Sequence, residues 1–374
     1  MCIFEATYPT TGKTTDLTAL VAKDTRDSLI SWHDLIELGW ELKHQIRALQ
    51  SSDTASQVSM AKLMKRFDTV FSDELSETPM KAPPMKIHLK DNAKPFRIST
   101  ARQVPLRFKE ESDKEVQSYI DKGVIVKVTE PTTWCAPGFF VPKPDGKSRV
   151  RMVTDFTGLN EFVQRPVHPF PSVGEIVQSV PSTAKFFAKL DGVHGYFQLA
   201  LDEESSKLTT FLLPTGRYRY LRAPMGLSAS SDEWCRTSDW IVEGLPWAMK
   251  IVDDTLVWSN DLQTLEERVV EVLERCKQIN ITISMKKFEI AEELVFAGYK
   301  FGAEGIKPDP EKVECIQNFP QPTSATDVRS FLGMANQLAF FLPDYSHMSV
   351  QMRKLTGKGV QWQWLPNTRK SSLN

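Results

Sequence analysis

The sequence predicts an α+β fold: an antiparallel sheet backed by helices and followed by a helical tail. Three observations predict it. Hairpin signals recur at Asp145-Gly146, Pro214-Thr215-Gly216 and Asp253-Asp254, each set between apolar, strand-like runs. The stretches 109–122 and 262–276 instead place their apolar residues at helical spacing. After Gly305 the pattern changes to helices separated by prolines.

Length and composition bound the answer. A chain of 374 residues has room for two or three compact units, and 41% hydrophobic with 25% charged residues is an ordinary globular balance. No uninterrupted apolar run of about 18 residues occurs, so no membrane partnership is expected. Met1–Lys13 lacks the basic start and apolar middle of a signal peptide, so an intracellular site, cytoplasmic or nuclear, is expected. The five cysteines (2, 135, 235, 276 and 315) are widely spaced and form no CxxC pair, which argues against a disulfide framework or a zinc site. The formal net charge is −1, yet residues 81–151 hold 15 Lys/Arg against 8 Asp/Glu, a local excess of +7. Such a stretch can neutralise phosphates, or it can be simply a solvated face.

Taken in order, Leu17–Ala22 reads as a strand, and Ser31–Ile36 could start a short helix. Residues 46–95 are polar and read as a connector with a helix inside it. Lys109–Lys122 is helical, with Val116, Tyr119 and Ile120 on one face and Gly123 as its stop. Val124–Val128 follows as a strand, and Phe139–Pro142 with Arg149–Thr154 flank the Lys-rich Asp145-Gly146 turn. Ala184–Leu190 is an apolar strand that ends in Asp191. Ser231–Glu243 reads as a helix. Ala248–Val252 and Thr255–Trp258 then read as strands with only Asp253-Asp254 between them. The clearest helix carries Leu262, Leu265, Val269, Val272, Leu273 and Cys276. Near the end, Ser324 with Asp327 forms an N-terminal cap ahead of the stripe Val328, Phe331, Leu332, Ala335 and Leu338.

Two adjacent carboxylates on a tight turn are costly to keep charged unless a cation neutralises them. Asp253 and Asp254 meet that description, and Asp191 ends a separate strand. Three carboxylates converging from one sheet can hold hard divalent ions, which suit carboxylate and phosphate oxygens. An Asp-Asp turn alone is common, and only the second Asp-ending strand lifts this one above that background.

The motifs carry a resemblance. Phe187-Ala188-Lys189-Leu190-Asp191, Gly195-Tyr196-Phe197-Gln198 and Val252-Asp253-Asp254 resemble, in order and spacing, the palm motifs of reverse transcriptases. The gypsy-type long-terminal-repeat retrotransposons are most similar, over about residues 95–365. Val141-Pro142-Lys143-Pro144-Asp145-Gly146 and Asp155-Phe156-Thr157-Gly158-Leu159-Asn160 resemble the fingers, and Arg222-Ala223-Pro224-Met225-Gly226-Leu227 the segment under the incoming nucleotide. Phe296-Ala297-Gly298-Tyr299 resembles the primer grip, and Phe331-Leu332-Gly333 with Phe341-Leu342-Pro343 the start of the thumb region.

The resemblance implies a right-hand polymerase with fingers, an antiparallel palm sheet and a partial helical thumb. Its activity would be that of an RNA-directed DNA polymerase, a nucleotidyltransferase adding deoxynucleotides to a primer 3′-hydroxyl. It implies that Asp191, Asp253 and Asp254, with the Gly192 carbonyl, hold two Mg²⁺ ions, with Mn²⁺ as a possible substitute. Lys143 and Arg151 would grip the triphosphate of a deoxynucleoside triphosphate, the lesser alternative for Lys143 being an ordinary exposed hairpin lysine. Backbone amides from Val193 and His194 to Tyr196 would hold the same phosphates, and Met225 would lie under the base pair. Tyr196 would exclude a 2′-hydroxyl, or it could be plain core packing. Lys286 or Lys287 would protonate the departing pyrophosphate, and Phe296, Gly298 and Tyr299 would form the primer grip. The macromolecular partner would be a template–primer duplex with an RNA or DNA template.

This chain also departs from the family pattern. Ile251 stands where the family has tyrosine before the Asp pair, Thr157 replaces a fingers arginine, and Ala297 replaces a leucine of the primer grip. The rival readings are a decayed template–primer binder and an RNA-dependent RNA polymerase, the latter disfavoured by the bulk of Tyr196. Leu29–Ile36 resembles the tail of a retropepsin-like aspartic protease, but Asp24-Thr25-Arg26 lacks the glycine of the catalytic Asp-Thr-Gly. The expected division is therefore a protease remnant at 1–45, a linker at 46–95, and fingers and palm at 96–302. The thumb would occupy 303–345, and the start of a connection towards a ribonuclease H domain 346–374.

Overall fold

The computed structural model describes residues 2–7, 14–20, 29–30, 43–143, 149–171, 173–342, 344–357 and 360. The chain falls into two compact units, 1–58 and 59–374. In the first, β1 (Cys2–Thr7) pairs antiparallel with β2 (Thr14–Leu20), and β3 (Leu29–Ile30) joins the other edge of β2. The strand expected at Leu17–Ala22 thus starts three residues earlier, and the helix expected at Ser31–Ile36 lies outside the described residues. A 24-residue helix spans Lys43–Arg66.

The stretch expected as a connector, 46–95, is instead partly core. Leu63, Phe67, Val70, Phe71, Leu75, Met80, Met85 and Ile87 are all buried in the main hydrophobic cluster of the second unit. Single β-bridges from Phe71 to Ile283, Met85 to Leu201 and Leu89 to Val163 fasten the segment along its length. Beyond the helix these apolar residues follow neither a 3.6- nor a 2-residue period, which is why no pattern announced their burial.

Three sheets organise the rest. β4 (Ile125–Lys127), β5 (Ala136–Pro142) and β6 (Val150–Thr154) precede β7 (Phe186–Asp191), β8 (Phe211–Leu213) and β9 (Gly216–Tyr220). A five-stranded sheet runs β4-β9-β8-β5-β6, antiparallel except for the β5–β8 pair. The helix Lys109–Asp121 ends ahead of it, and Gly123 takes the left-handed φ of +60° that stops a helix. The Asp145-Gly146 turn between β5 and β6 lies outside the described residues, but Lys143 N–H donates to the Arg149 carbonyl at its base (2.9 Å).

The second sheet carries the carboxylates. β10 (Ala248–Ile251), β11 (Asp254–Ser259) and β12 (Glu289–Ala291) join β7 in the antiparallel order β10-β11-β7-β12. The two faces meet different cores, as the period of two requires. Ala188, Leu190 and Val257 face the main cluster, whereas Phe187, Leu256 and Trp258 face a second one. The helix Leu262–Gln278 backs β7 and β11, with Leu265, Val269, Val272, Leu273 and Cys276 fully buried. Each such side chain stabilises the fold by about 1.5–3 kcal/mol, and Asp261 caps the helix by accepting from Thr264 N–H (2.9 Å). The helix expected at Ser231–Glu243 runs from Ser228 to Ser238 and tightens into a 3₁₀ turn over Asp239–Ile241.

The third sheet, β13 (Leu294–Phe296), β14 (Tyr299–Gly302) and β15 (Gly305–Pro308), lies against the second core cluster. Helices Pro310–Gln317, Ala325–Gln337 and Tyr345–Lys354 follow. Ser324 Oγ accepts from Asp327 N–H, and Asp327 accepts in return from Thr323 N–H (3.1 and 2.9 Å), a reciprocal cap. Of the expected stripe, Val328, Ala335 and Leu338 are buried, while Phe331 and Leu332 are half-buried. Among the described residues, no helix is long and apolar enough to cross a membrane.

Candidate active site

Asp191 and Asp254 are directly opposed residues of the β7–β11 ladder, so two carboxylates face each other on the same side of the sheet. Like charges in that position repel. Asp253 is one residue away, but not where the sequence suggested. Ile251 pairs with Asp254, so the two turn residues are Val252 and Asp253, and Asp254 already belongs to β11. Val252 takes the left-handed φ of +52°, an uncommon conformation for a β-branched residue. Its carbonyl accepts from Trp234 Nε1–H (2.9 Å), and the Asp253 carbonyl accepts from Gly192 N–H (2.9 Å), so the turn is clamped from two sides.

The electrostatics follow from that crowding. Burial, and then the Asp191 carboxylate, push the Asp253 carboxyl up to about 6. The Asp254 carboxyl is likewise raised, by burial and by Asp191, against the opposing pull of Lys189. Asp253 Oδ1 is buried with no hydrogen-bond partner. Gly195 makes that placement possible: a Cβ there would overlap Asp253 Oδ1 and come within 2.8 Å of the Trp234 ring. Lys287 Nζ donates to both oxygens of Asp191 (2.9 and 2.8 Å), and this contact holds its ammonium above the ordinary lysine range.

A divalent cation suits this donor set. The orphaned Asp253 oxygen and the opposed pair Asp191/Asp254 are hard oxygen donors short of positive charge. Among the described residues, no three His, Cys, Asp or Glu side chains already stand at metal-holding geometry, and Lys287 supplies the only ammonium bonded to Asp191.

The remaining expected residues distribute unevenly. Lys286 and Lys287 separate cleanly: Lys287 reaches Asp191, whereas Lys286 pairs with Asp73 (3.3 Å). His194 has a left-handed φ of +48° and an exposed side chain; partial desolvation of the ring, followed by Lys122, Lys143, Arg151 and Lys287, lowers its imidazole. Four cations therefore converge on this loop from the fingers-like hairpin, the end of helix Lys109–Asp121 and the Lys287 segment. Val193 N–H, expected to be offered to phosphate, is already donated to the Thr282 carbonyl (3.0 Å). Only the amides that open the following 3₁₀ turn, Gly195–Gln198, begin without a partner inside that turn. Tyr196 is half-buried against the main core, with its hydroxyl raised by burial. Met225 is exposed on a turn fixed by Asn160, which donates to the Gly226 carbonyl and accepts from Ser228 N–H (both 2.8 Å).

The expected primer-grip side chains point elsewhere. Phe296 and Tyr299 are buried in the second core cluster, and Tyr299 Oη donates to the Gln337 carbonyl (2.7 Å). Their β-pairing turns both rings inward, leaving the Ala297-Gly298 turn as the outward part of the hairpin.

Sequence reasoning missed several supports. Gln198 is buried and ties the loop to the Lys287 segment: its Nε2 donates to the Val193 and Thr282 carbonyls, and its Oε1 accepts from Thr282 N–H (2.8, 3.0 and 2.7 Å). Arg222, 1% exposed, has no carboxylate partner among the described residues. Its guanidinium donates instead to the carbonyls of Ser76, Glu77, Lys122, Gly123 and Phe197. Lys250, also buried, pairs with Asp239 (2.8 Å), which in turn meets His168 (2.7 Å). Gln198 and Arg222 stand in motifs that the sequence displays, but their tying roles depend largely on partners distant in sequence, Thr282 for the first and Ser76 to Gly123 for the second.

Residues 141–333, just over half of the chain, match the family model described as reverse transcriptase (RNA-dependent DNA polymerase). The chain is 28% identical over 300 residues to the retrovirus-related Pol polyprotein from transposon opus of Drosophila melanogaster, covering 79% of this chain and 30% of that protein. It is 30% identical over 248 residues to the polyprotein from transposon 297 of the same fly, covering 65% and 23%. The chain thus spans less than a third of these curated relatives. Among solved structures, the foamy viral protease-reverse transcriptase in complex with double-stranded DNA is similar in fold, with TM-score 0.76 and 19% identity. That match covers 98% of this chain and 69% of that one. The same viral protein with an RNA/DNA hybrid gives 0.73 and 18%, covering 98% and 53%. By the family match across its sheets and carboxylates, the chain belongs to the reverse transcriptase family and corresponds to that domain of retrotransposon Pol polyproteins.

Proposed function

We propose that the chain acts as an RNA-directed DNA polymerase from a gypsy-type retrotransposon, extending a primer with deoxynucleoside triphosphates on an RNA or DNA template. The observation that carries this reading is the face-to-face pair Asp191/Asp254 beside the unpartnered Asp253 oxygen. Asp191, Asp253 and Asp254, with the Gly192 carbonyl, would hold two Mg²⁺ or Mn²⁺ ions, which when bound supply charge neutralisation at the reacting phosphate.

The chain's own residues do the rest. Lys143 and Arg151 stand close enough to His194 to shape its titration, and they bind and orient the triphosphate. Tyr196 fills the floor of the nucleotide position and leaves no room for a 2′-hydroxyl. Lys287, within reach of Asp191, carries the proton delivered to the leaving pyrophosphate; Lys286 is engaged by Asp73. Neutral apolar bulk at Ile251 keeps the strand placed, since its side chain packs against the second cluster. The template–primer partner accords with the nucleic acids named for the two viral structures.

The same reading assigns residues 1–45 to a protease remnant, 46–95 to a packed connector and 96–302 to fingers and palm. It assigns 303–345 to the thumb and 346–374 to the start of a connection, with an intracellular setting. The test is primer extension on an RNA template with deoxynucleotides and Mg²⁺, against Asp253→Asn and Asp191→Asn. Extension lost in both variants is the expected result. A folded wild-type chain that binds duplex but never extends it would replace this reading with that of a template–primer binder, and a preference for ribonucleotides with that of an RNA polymerase.

A further inference from the structure

Lys250 carries a charge into an apolar core. Along β10, Met249 and Ile251 turn to the second cluster, so Ala248 and Lys250 turn to the main one. The Lys250 side chain is only 2% exposed. Its ammonium meets the Asp239 carboxylate at 2.8 Å and lies over the Trp234 ring, 5.7 Å from the centroid. Stability alone does not account for this placement, because a buried ion pair adds little over apolar residues of the same volume. Asp239 also closes the C-terminal end of helix Ser228–Ser238, where the helix dipole disfavours a carboxylate. It is nevertheless fixed from two sides, one oxygen on Lys250 and the other on His168 Nε2 (2.7 Å).

Through this arrangement the ammonium reaches the carboxylate turn. The indole beneath it is the one whose Nε1–H holds the Val252 carbonyl, at the left-handed residue beside Asp253. A cation over an indole face attracts the ring, and by drawing its electrons strengthens the N–H as a donor. Helix and 3₁₀ turn supply the indole and the carboxylate, and β10 supplies the ammonium, so strand and helix are locked together one residue before the turn begins.

We propose that Lys250, held by Asp239, is a positioning residue for the catalytic turn: it fixes the Trp234 indole, and the indole fixes Val252 and Asp253. The lysine acts through the ring and touches no reacting atom. Its kinetic consequence rests on the polymerase reading, whereas its effect on the turn rests on geometry alone.

The test joins amide hydrogen exchange to primer extension on the full chain. Wild type is compared with Lys250→Met, Lys250→Arg, Asp239→Asn, Trp234→Phe and the double variant Lys250→Met with Trp234→Phe. Exchange is read in metal-free protein at Gly192, whose N–H is donated to the Asp253 carbonyl, and at Ala188 and Val257, which pair deeper in the same sheet. Lys250→Met should speed exchange at Gly192 by about tenfold and leave Ala188 and Val257 unchanged, since only the turn loosens. In extension it should lower kcat by about tenfold and keep KM for deoxynucleotide within about twofold. Asp239→Asn alters a side chain that is 37% exposed and keeps an oxygen for the ammonium, so it should give the same pattern in a fold that tolerates the change, with kcat lowered by about threefold. Lys250→Arg, which keeps a cation over the ring, should recover most of kcat. The double variant should be no slower than Trp234→Phe alone, because the two residues act as one unit. Exchange unchanged at Gly192, exchange quickened equally at Ala188 and Val257, or additive losses in the double variant each overturn the positioning role and leave the polymerase reading intact. A wild type that extends no primer while Lys250→Met still loosens Gly192 overturns the polymerase reading and leaves the positioning role standing.

Discussion

Two hairpin turns in this molecule have the same length and opposite designs. Ala297-Gly298 closes β13–β14 with both residues at positive φ, which a glycine at the second position relieves locally. Val252-Asp253 closes β10–β11 with a β-branched residue at φ +52°, where glycine would fit without strain. A left-handed conformation at such a residue costs roughly 1–2 kcal/mol. That cost is met from outside the turn, by Trp234 Nε1 on the Val252 carbonyl and by Gly192 N–H on that of Asp253. A turn that only has to reverse the chain can be solved by its own residues. A turn that has to aim a carboxylate is held by its neighbours.

The largest way to break this contrast is Asp253→Asn. Extension should fall by on the order of a thousandfold or more, since a charged donor aimed at the reacting centre is removed without removing the turn. Metal-free stability should move the other way. Burial raises the folded carboxyl of Asp253 to about 6, above its unfolded value of 3.8, so ionising it opposes folding. The protein is not penalised below about pH 4, loses stability as pH rises towards 6, and bears the full cost above that. At pH 7.5 the variant should therefore be more stable than metal-free wild type by on the order of 3 kcal/mol, and the difference should vanish near pH 4. Paired urea melts across that pH range measure it; a difference that grows as pH falls would contradict the assigned sign.

Trp234→Phe tests the outside support with a smaller effect. Losing the indole donor leaves the Val252 carbonyl unmatched, and should cost about 1–2 kcal/mol in a denaturant melt. It should also depress kcat more than KM for deoxynucleotide. The smallest change is Ala297→Gly. Relief of left-handed strain is there offset by the greater chain entropy of glycine, so stability should shift by less than about 0.5 kcal/mol. A gain well above that would mean that the second turn, too, is held under strain by its surroundings.

The same contrast explains what the sequence disclosed. Elements defined locally were legible: the Ser324 cap, the Gly123 stop, the spine from Leu265 to Cys276, and the pairing of β8 with β9. The carboxylate strands were legible because β-sheet period and Asp placement are local too. The turn itself was misplaced by one residue, because nothing in Val252 marks it as a left-handed position. Choosing between Lys286 and Lys287 required knowing that Asp73, more than 200 residues away, takes the first. The burial of Phe71, Met80 and Met85 was hidden because irregular coil carries no period.

Arg222 carries a consequence for how the chain is made. Its guanidinium closes contacts across 99, 100, 145 and 146 residues, and the five carbonyls it serves lie on three separate segments. During synthesis the Ser76-Glu77 and Lys122-Gly123 carbonyls emerge well before the residue that satisfies them. At about 5–20 residues per second that interval is on the order of ten seconds, during which the early half of the domain cannot settle. The nascent chain should remain protease-sensitive around Ser76 until Arg222 clears the ribosome, and should lose that sensitivity in a single step rather than by degrees.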